Sequence, residues 1–355
     1  MRDERAIDLL DLFPPAATVS STPVALTASS LALIGPVPEA SVLHIALNHL
    51  RAEADQAASS SLSDKARGKR RAQEEYADEA EQPLVPATPA RPRRVLILSP
   101  DEASIRTELA NECDVSLLGQ RVDNETARLL DRIDIRYLPT SAHLTYFLAT
   151  VYTSSSGAAQ DAQLAFTATG ASAPVDPSCL PHEPTMVILH GATSYLNEPD
   201  QARSGIEAYG SMLAHFVSTF EHIAPSRPFL VLFDPLAIDL ALPVLPLHLA
   251  ESGNVRKRGV EGVGSTGERD QMSLSRIIER FFDWIGEAEE INSGDSPQRQ
   301  SQFRRFLLSC RASPRMRTRM PSQQQRVGLE YVMHRVDDKD PEGEDEDGVR
   351  IEVPA

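Results

Sequence analysis

Leu31-Ala32-Leu33-Ile34-Gly35-Pro36-Val37-Pro38-Glu39-Ala40-Ser41-Val42 is the stretch on which the fold turns. The continuous apolar run Ser30–Ile34 has the pattern of a strand buried on both faces. It ends in a turn of Gly and Pro and passes into helical periodicity over Ser41–Ala54. Phosphate-binding loops occupy this kind of strand–loop–helix junction. A working loop reads G-x-x-x-x-G-K-[ST], so that backbone N–H groups, a Lys and a hydroxyl converge on phosphate and magnesium. Gly35 opens that pattern, but Ala40 replaces the second glycine, Ser41 the lysine and Val42 the hydroxyl. Pro36 and Pro38 remove two N–H donors, and Glu39 adds a charge that repels phosphate. An ordinary strand–turn–helix explains the same residues. On either reading no nucleotide is expected here.

Beyond this stretch, short apolar runs recur at Val95–Leu98, Ile133–Tyr137, Met186–Leu189 and Phe229–Phe233. Helical periodicity lies between them over Ser104–Asn111, Ala142–Tyr152 and Ile206–Ile223, where Leu213, Phe216, Val217 and Phe220 recur at three- and four-residue spacing. A further helix is expected over Ser273–Ile285, then two alternating strands, Phe303–Cys310 and Val327–Val336. Strand–helix alternation implies an α/β fold, a mostly parallel sheet flanked by helices, with an antiparallel edge from the last two strands. Four stretches lack the periodicity to pack and read as flexible inserts: Gln56–Pro92, Thr153–Pro184, Glu251–Gln271 and Ile291–Ser301. The acids after Asp337 should keep the tail, 337–355, solvated and disordered. One domain over 1–336, interrupted by long surface loops, is the expected organisation.

Across 355 residues, 35 basic side chains stand against 51 acidic ones, a net charge of −16. That balance excludes a histone-like binder of nucleic acid but leaves room for a local basic patch. Cys113, Cys179 and Cys310 form no C-x-x-C pair, which excludes a disulfide scaffold or cysteine-rich zinc module and suits a reducing compartment. The most apolar stretch, Leu236–Ala250, is broken by Asp239, Pro243, Pro246 and His248, so no membrane span is expected. Asp3, Glu4, Asp8 and Asp11 spoil a signal peptide. Within the same N-terminal segment Ile7, Leu9, Leu10 and Phe13 would line a short helix over Glu4–Phe13, available to dock on another subunit or to pack on its own domain.

His190 follows the Met186–Leu189 run, where a nucleotide-hydrolysing fold needs an Asp to hold magnesium. Asp234 follows Phe229–Phe233 and is expected to cap the next segment. Gly262-Val263-Gly264-Ser265-Thr266-Gly267 matches G-x-G-x-x-G but follows Arg256-Lys257-Arg258 in a polar stretch, so it reads as linker. No G-x-S-x-G, H-E-x-x-H or acid ladder occurs; no cofactor and no metal is expected.

Two basic features remain. Lys65, Arg67, Lys69, Arg70 and Arg71, compact and inside an insert, read as a nuclear-import signal, the alternative being a charge run in a linker. The second feature comprises Arg299, Arg304, Arg305, Arg311, Arg315, Arg317, Arg319 and Arg326, with no acid from Pro297 to Arg326. Arg315, Arg317 and Arg319 alternate, and in an extended hairpin would point to one side. They suit either phosphate recognition or pairing with acids, this chain's own or a partner's. Phe303 and Phe306 are the candidates for base stacking there, with the core as their expected place.

Leu130-Asp131-Arg132-Ile133-Asp134-Ile135-Arg136-Tyr137-Leu138-Pro139-Thr140-Ser141, with the helix to Val151, resembles the strand–helix before the magnesium strand of RecA-type recombinase paralogues. Met186–Leu196 with Ile206–Phe220, and the closing pair Phe303–Cys310 and Val327–Val336, continue the likeness. It is nearest to the SWIM-domain-associated paralogue of the Shu complex. The resemblance implies a RecA-like fold with a degenerate phosphate loop, a pseudo-ATPase in the nucleus that supports homologous recombination and double-strand break repair. It further implies a SWIM-domain zinc protein, a recombinase filament and single-stranded DNA as partners. Gly35–Val42 and His190 depart from the family's nucleotide site, so nucleotide-driven activity is not carried over. Two other readings stand beside it: an accessory RecA-like subunit of Elongator acting in tRNA modification, and a residual ATPase.

Overall fold

The structure, a computed structural model, describes residues 5–12, 25–52, 93–103, 105–107, 124–153, 178–197, 205–223, 227–243, 271–291, 303–319, 325–338 and 346–352. In chain order the strands are β1 (Arg5–Asp8), β2 (Ala25–Ala28), β3 (Ser30–Ile34), β4 (Arg94–Ser99), β5 (Ile133–Tyr137), β6 (Tyr152–Thr153), β7 (Cys179–Leu180) and β8 (Pro184–His190). They continue as β9 (Phe229–Asp234), β10 (Ala241–Pro243), β11 (Gln271–Ser273), β12 (Trp284–Glu290), β13 (Phe303–Ala312), β14 (Arg326–Asp338) and β15 (Glu346–Glu352). The helices used below are α1 (41–52), α2 (Asn124–Leu130), α3 (Ser141–Thr150), α4 (Gly205–Ile223), α5 (Leu274–Ile278) and α6 (Pro314–Arg317).

Nine strands form one sheet in the order β15-β14-β13-β12-β3-β9-β8-β4-β5. The six from β12 to β5 pair in parallel, and β13, β14 and β15 add an antiparallel edge. This is the α/β architecture that the alternation of apolar runs and helical periodicity implies. Successive residues of the central strands serve opposite faces. Leu31 and Leu33 pack with α1, α2 and Met316 of α6, while Ala32 and Ile34 pack with α3, α4 and α5. In α4, Tyr209, Leu213, Phe216 and Phe220 are fully buried along one stripe, each of the last three contributing roughly 1.5–3 kcal/mol of apolar burial.

Asp283 sets the register of the sheet's centre. Its carboxylate accepts from the backbone N–H (2.9 Å) and the hydroxyl of Ser29, and its own N–H donates to Ser30 Oγ (3.0 Å). With that clamp in place Trp284 falls beside Leu31 and β12 runs parallel to β3.

Several expectations are corrected. The helix expected over Ser273–Ile285 stops at Ile278, and β12 follows it into the middle of the sheet. Glu287, Glu289 and Glu290 interrupt the apolar pattern that would have marked a strand, yet Trp284, Ile285 and Ala288 are buried. The N-terminal segment is not a helix over Glu4–Phe13. β1 pairs with β2, a 3-10 turn spans Leu9–Leu12, and Leu9 and Leu12 are fully buried in this chain's own core. A one-turn segment lacks the length to be a stable helix, so tertiary burial decides its conformation. The acidic tail contributes β15: Gly348–Ile351, free of acids, supplies residues able to extend the open ladder of β14. Arg315–Arg319 is not an extended hairpin, because Pro314 starts α6 there.

The inserts fall largely outside the described residues, as do the import cluster Lys65–Arg71, the sequence Gly262–Gly267, Arg299 and Cys113. The parts of the inserts that are described include β7 and the first residue of β8.

Candidate functional site

In a parallel sheet the carboxyl ends of the strands, near a change in strand order, are where ligands bind. Here β3, β8, β9 and β4 end together. β3 leads into Gly35 at φ +89°, and the turn that follows feeds α1, whose first residue is Ser41. The residues standing in for a phosphate loop point inward: Ala40 and Ser41 are 1% exposed and Val42 5%. The Ser41 hydroxyl has no hydrogen-bond partner. A lysine at that position would bury its ammonium in the core, which explains physically why a small residue stands there.

Glu39 of this turn reaches across to Nε2 of His190 at the end of β8. Nδ1 of the same ring lies 3.2 Å from the Ser99 hydroxyl at the end of β4. The imidazole also stacks on Phe233, with centroids 5.6 Å apart. The space beside Glu39, bounded by Val42, Leu43, Ile97, Ile105 and Ile135, is about 10 Å³, room for one water at most. A carboxylate and an imidazole of this chain thus meet where the turn after β3 faces the end of β8.

Next to it lies a network that sequence reasoning missed. Asp234 at the end of β9 makes no side-chain cap to the segment after it, contrary to expectation. Instead it turns inward. It accepts from the backbone N–H of Thr193 (3.0 Å), the Thr193 hydroxyl (2.6 Å) and the Tyr209 hydroxyl (2.9 Å). Burial pushes its carboxyl up to about 6, against the opposing pull of those three donors and of His190. Burial, and then the neighbouring Asp234, push the Tyr209 phenol well above its ordinary range. Thr193 and Tyr209 come from two different helices, and no local pattern announces either.

The arginines divide. Arg311 is half-buried and engaged: it meets Glu279, donates to Glu287 (2.7 Å) and approaches Ser275. Burial and then Arg317 and Arg326 draw its guanidinium below the ordinary value. Burial, and then Glu289, push the Glu287 carboxyl up. Arg317 is exposed, with Nε donating to the Ala312 carbonyl at 2.8 Å. Arg305, Arg315 and Arg319 are exposed. Arg304 lies on β13, its side chain outside the described residues, as is that of Phe303. Phe306 is buried and stacks on Tyr331, so it offers no platform to a base. The expected patch is therefore split between structural and surface-facing cations.

Among the described residues no three of His, Cys, Asp and Glu come together as a metal would require, and no helix is long and apolar enough to cross a membrane. Compared with models of known protein families and with curated proteins, the chain matches none.

Proposed function

We propose that the chain is a binding module and not an enzyme: a non-catalytic, RecA-like recombinase paralogue that supports homologous recombination and break repair as a Shu-complex-like subunit in the nucleus. The observation that carries the reading is the contact of Glu39 with His190, at the turn and strand end where a RecA-like nucleotide-hydrolysing fold would hold phosphate and magnesium. A mostly parallel sheet with an antiparallel C-terminal edge is compatible with the RecA-like assignment, and fold alone does not fix function. Exposed Arg305, Arg315, Arg317 and Arg319 supply the phosphate contacts through which such a subunit would hold single-stranded DNA.

The proposed partners are a SWIM-domain zinc protein and a recombinase filament. Affinity purification of the full chain, with mass-spectrometric identification of what co-purifies, tests this. A stoichiometric SWIM-domain protein is the expected result. Recovery of Elongator subunits in its place, or of no stoichiometric partner, overturns the reading.

A further inference from the structure

At the opposite end of the sheet, where β3 and β9 begin, the structure has a cavity of about 270 Å³. Three arginines line it, all exposed and from three separate segments: Arg227 before β9, Arg280 after α5 and Arg315 in α6. We propose that this cavity binds a phosphate monoester.

Among the described residues, the side chains of these three arginines make no ion pair and no hydrogen bond, unlike Arg311, Arg136 and Arg106. Glu221 shares the lining, so three positive charges meet one negative charge on a chain whose net charge is −16. The excess of two matches a phosphate dianion, and planar N–H forks suit its oxygens. Ser29, also in the lining, spends its hydroxyl proton on Asp283, while Ser30 accepts from the Asp283 N–H and keeps its own O–H. The volume falls just below the range of about 300–1,000 Å³ typical of small-molecule pockets, enough for a phosphate with a small group attached. A second observation points the same way. Arg227 has φ +40°, a left-handed backbone that a non-glycine residue adopts only at a cost. The inference does not depend on the recombinase reading.

The monoester could be free, as in inorganic phosphate or a mononucleotide, or terminal, as at a strand's 5′ end. The probe is inorganic phosphate, followed by the thermal midpoint of the full chain against sodium chloride at matched ionic strength. Phosphate should raise the midpoint, and Arg280→Gln and Arg315→Gln should each weaken its binding about tenfold, while Arg128→Gln, exposed on α2, leaves it unchanged. Arg227→Gly relieves the backbone and removes a guanidinium together. It should hold or raise the midpoint without phosphate and still bind phosphate more weakly, a split that misfolding does not produce. A 5′-phosphorylated single strand competing better than the same strand with a 5′-hydroxyl supports the strand end as source; equal competition supports the free monoester. No rise over chloride, or a rise that the arginine variants leave intact, overturns the proposal.

Discussion

Gly35 lies so close to Ala288 that a Cβ added to it would stand 2.2 Å from the Ala288 carbonyl oxygen. Its φ of +89° is also one that side chains resist. The glycine that reads as the opening of a phosphate loop thus has a packing duty, letting the turn after β3 approach β12. Gly35→Ala should cost about 3 kcal/mol or more, read from denaturant midpoints. Gly210→Ala, within α4 and at ordinary contact distance from Ile277, should gain about 0.5–1 kcal/mol.

The Asp234 network sets a pH dependence. The unfolded carboxyl titrates near 3.8 and the folded one near 6, so between those values the folded chain keeps a proton that the unfolded chain has released. Stability from this group is full below about pH 4 and falls as pH rises toward 6, by up to about 1.4 kcal/mol per pH unit. Asp234→Asn can accept from Thr193 N–H and Tyr209 and donate to the Thr193 oxygen. It should stay within about 1 kcal/mol of wild type at pH 7 and lack this slope. Thr193→Val should cost about 1–3 kcal/mol at pH 7 and less at pH 4.

Ser41→Ala removes a buried hydroxyl that has no partner and should stabilise by about 1 kcal/mol. Calorimetry of wild type with magnesium and ATP should give only heats of dilution. Saturable binding that disappears in the Ser41 variant would show that the turn does hold nucleotide.

Arg311 is separated from the surface arginines by its duties. Arg311→Met should lower stability by about 1–2 kcal/mol through loss of Glu279 and Glu287, without altering the salt slope of single-strand binding. Arg305→Ala with Arg319→Ala should leave stability near wild type and flatten that slope by about 0.7 for each phosphate that the variant no longer neutralises. The reverse pattern would place the DNA on another face.

What is legible in the sequence follows from range. Ser30–Ile34 and Phe229–Phe233 announce themselves because a strand buried on both faces must be apolar throughout. Leu213, Phe216 and Phe220 do so because one helix buries one stripe. The departure of Gly35–Val42 from a phosphate-loop pattern is equally local, being a matter of Ala40, Ser41 and Val42. β12 stays hidden because Glu287, Glu289 and Glu290 interrupt its apolar pattern around the buried Ala288. Leu9 and Leu12 mislead because their burial depends on strands that come later. The contacts of Glu39 with His190 and of Asp234 with Thr193 and Tyr209 join segments brought together only by the completed sheet.

The clamp of Asp283 on Ser29 spans 254 residues, and it has a cost in time. β3 is the first strand of the large sheet to be made, and both strands that flank it, β9 and β12, are made long afterwards. A ribosome adding about 5–20 residues per second needs roughly 13–50 s to cover that interval. For most of it, until β9 is made, a five-residue apolar strand waits with both edges unpaired. The nascent chain is therefore a natural client for chaperones, and a pause in translation before residue 284 would leave the centre of the molecule open to aggregation.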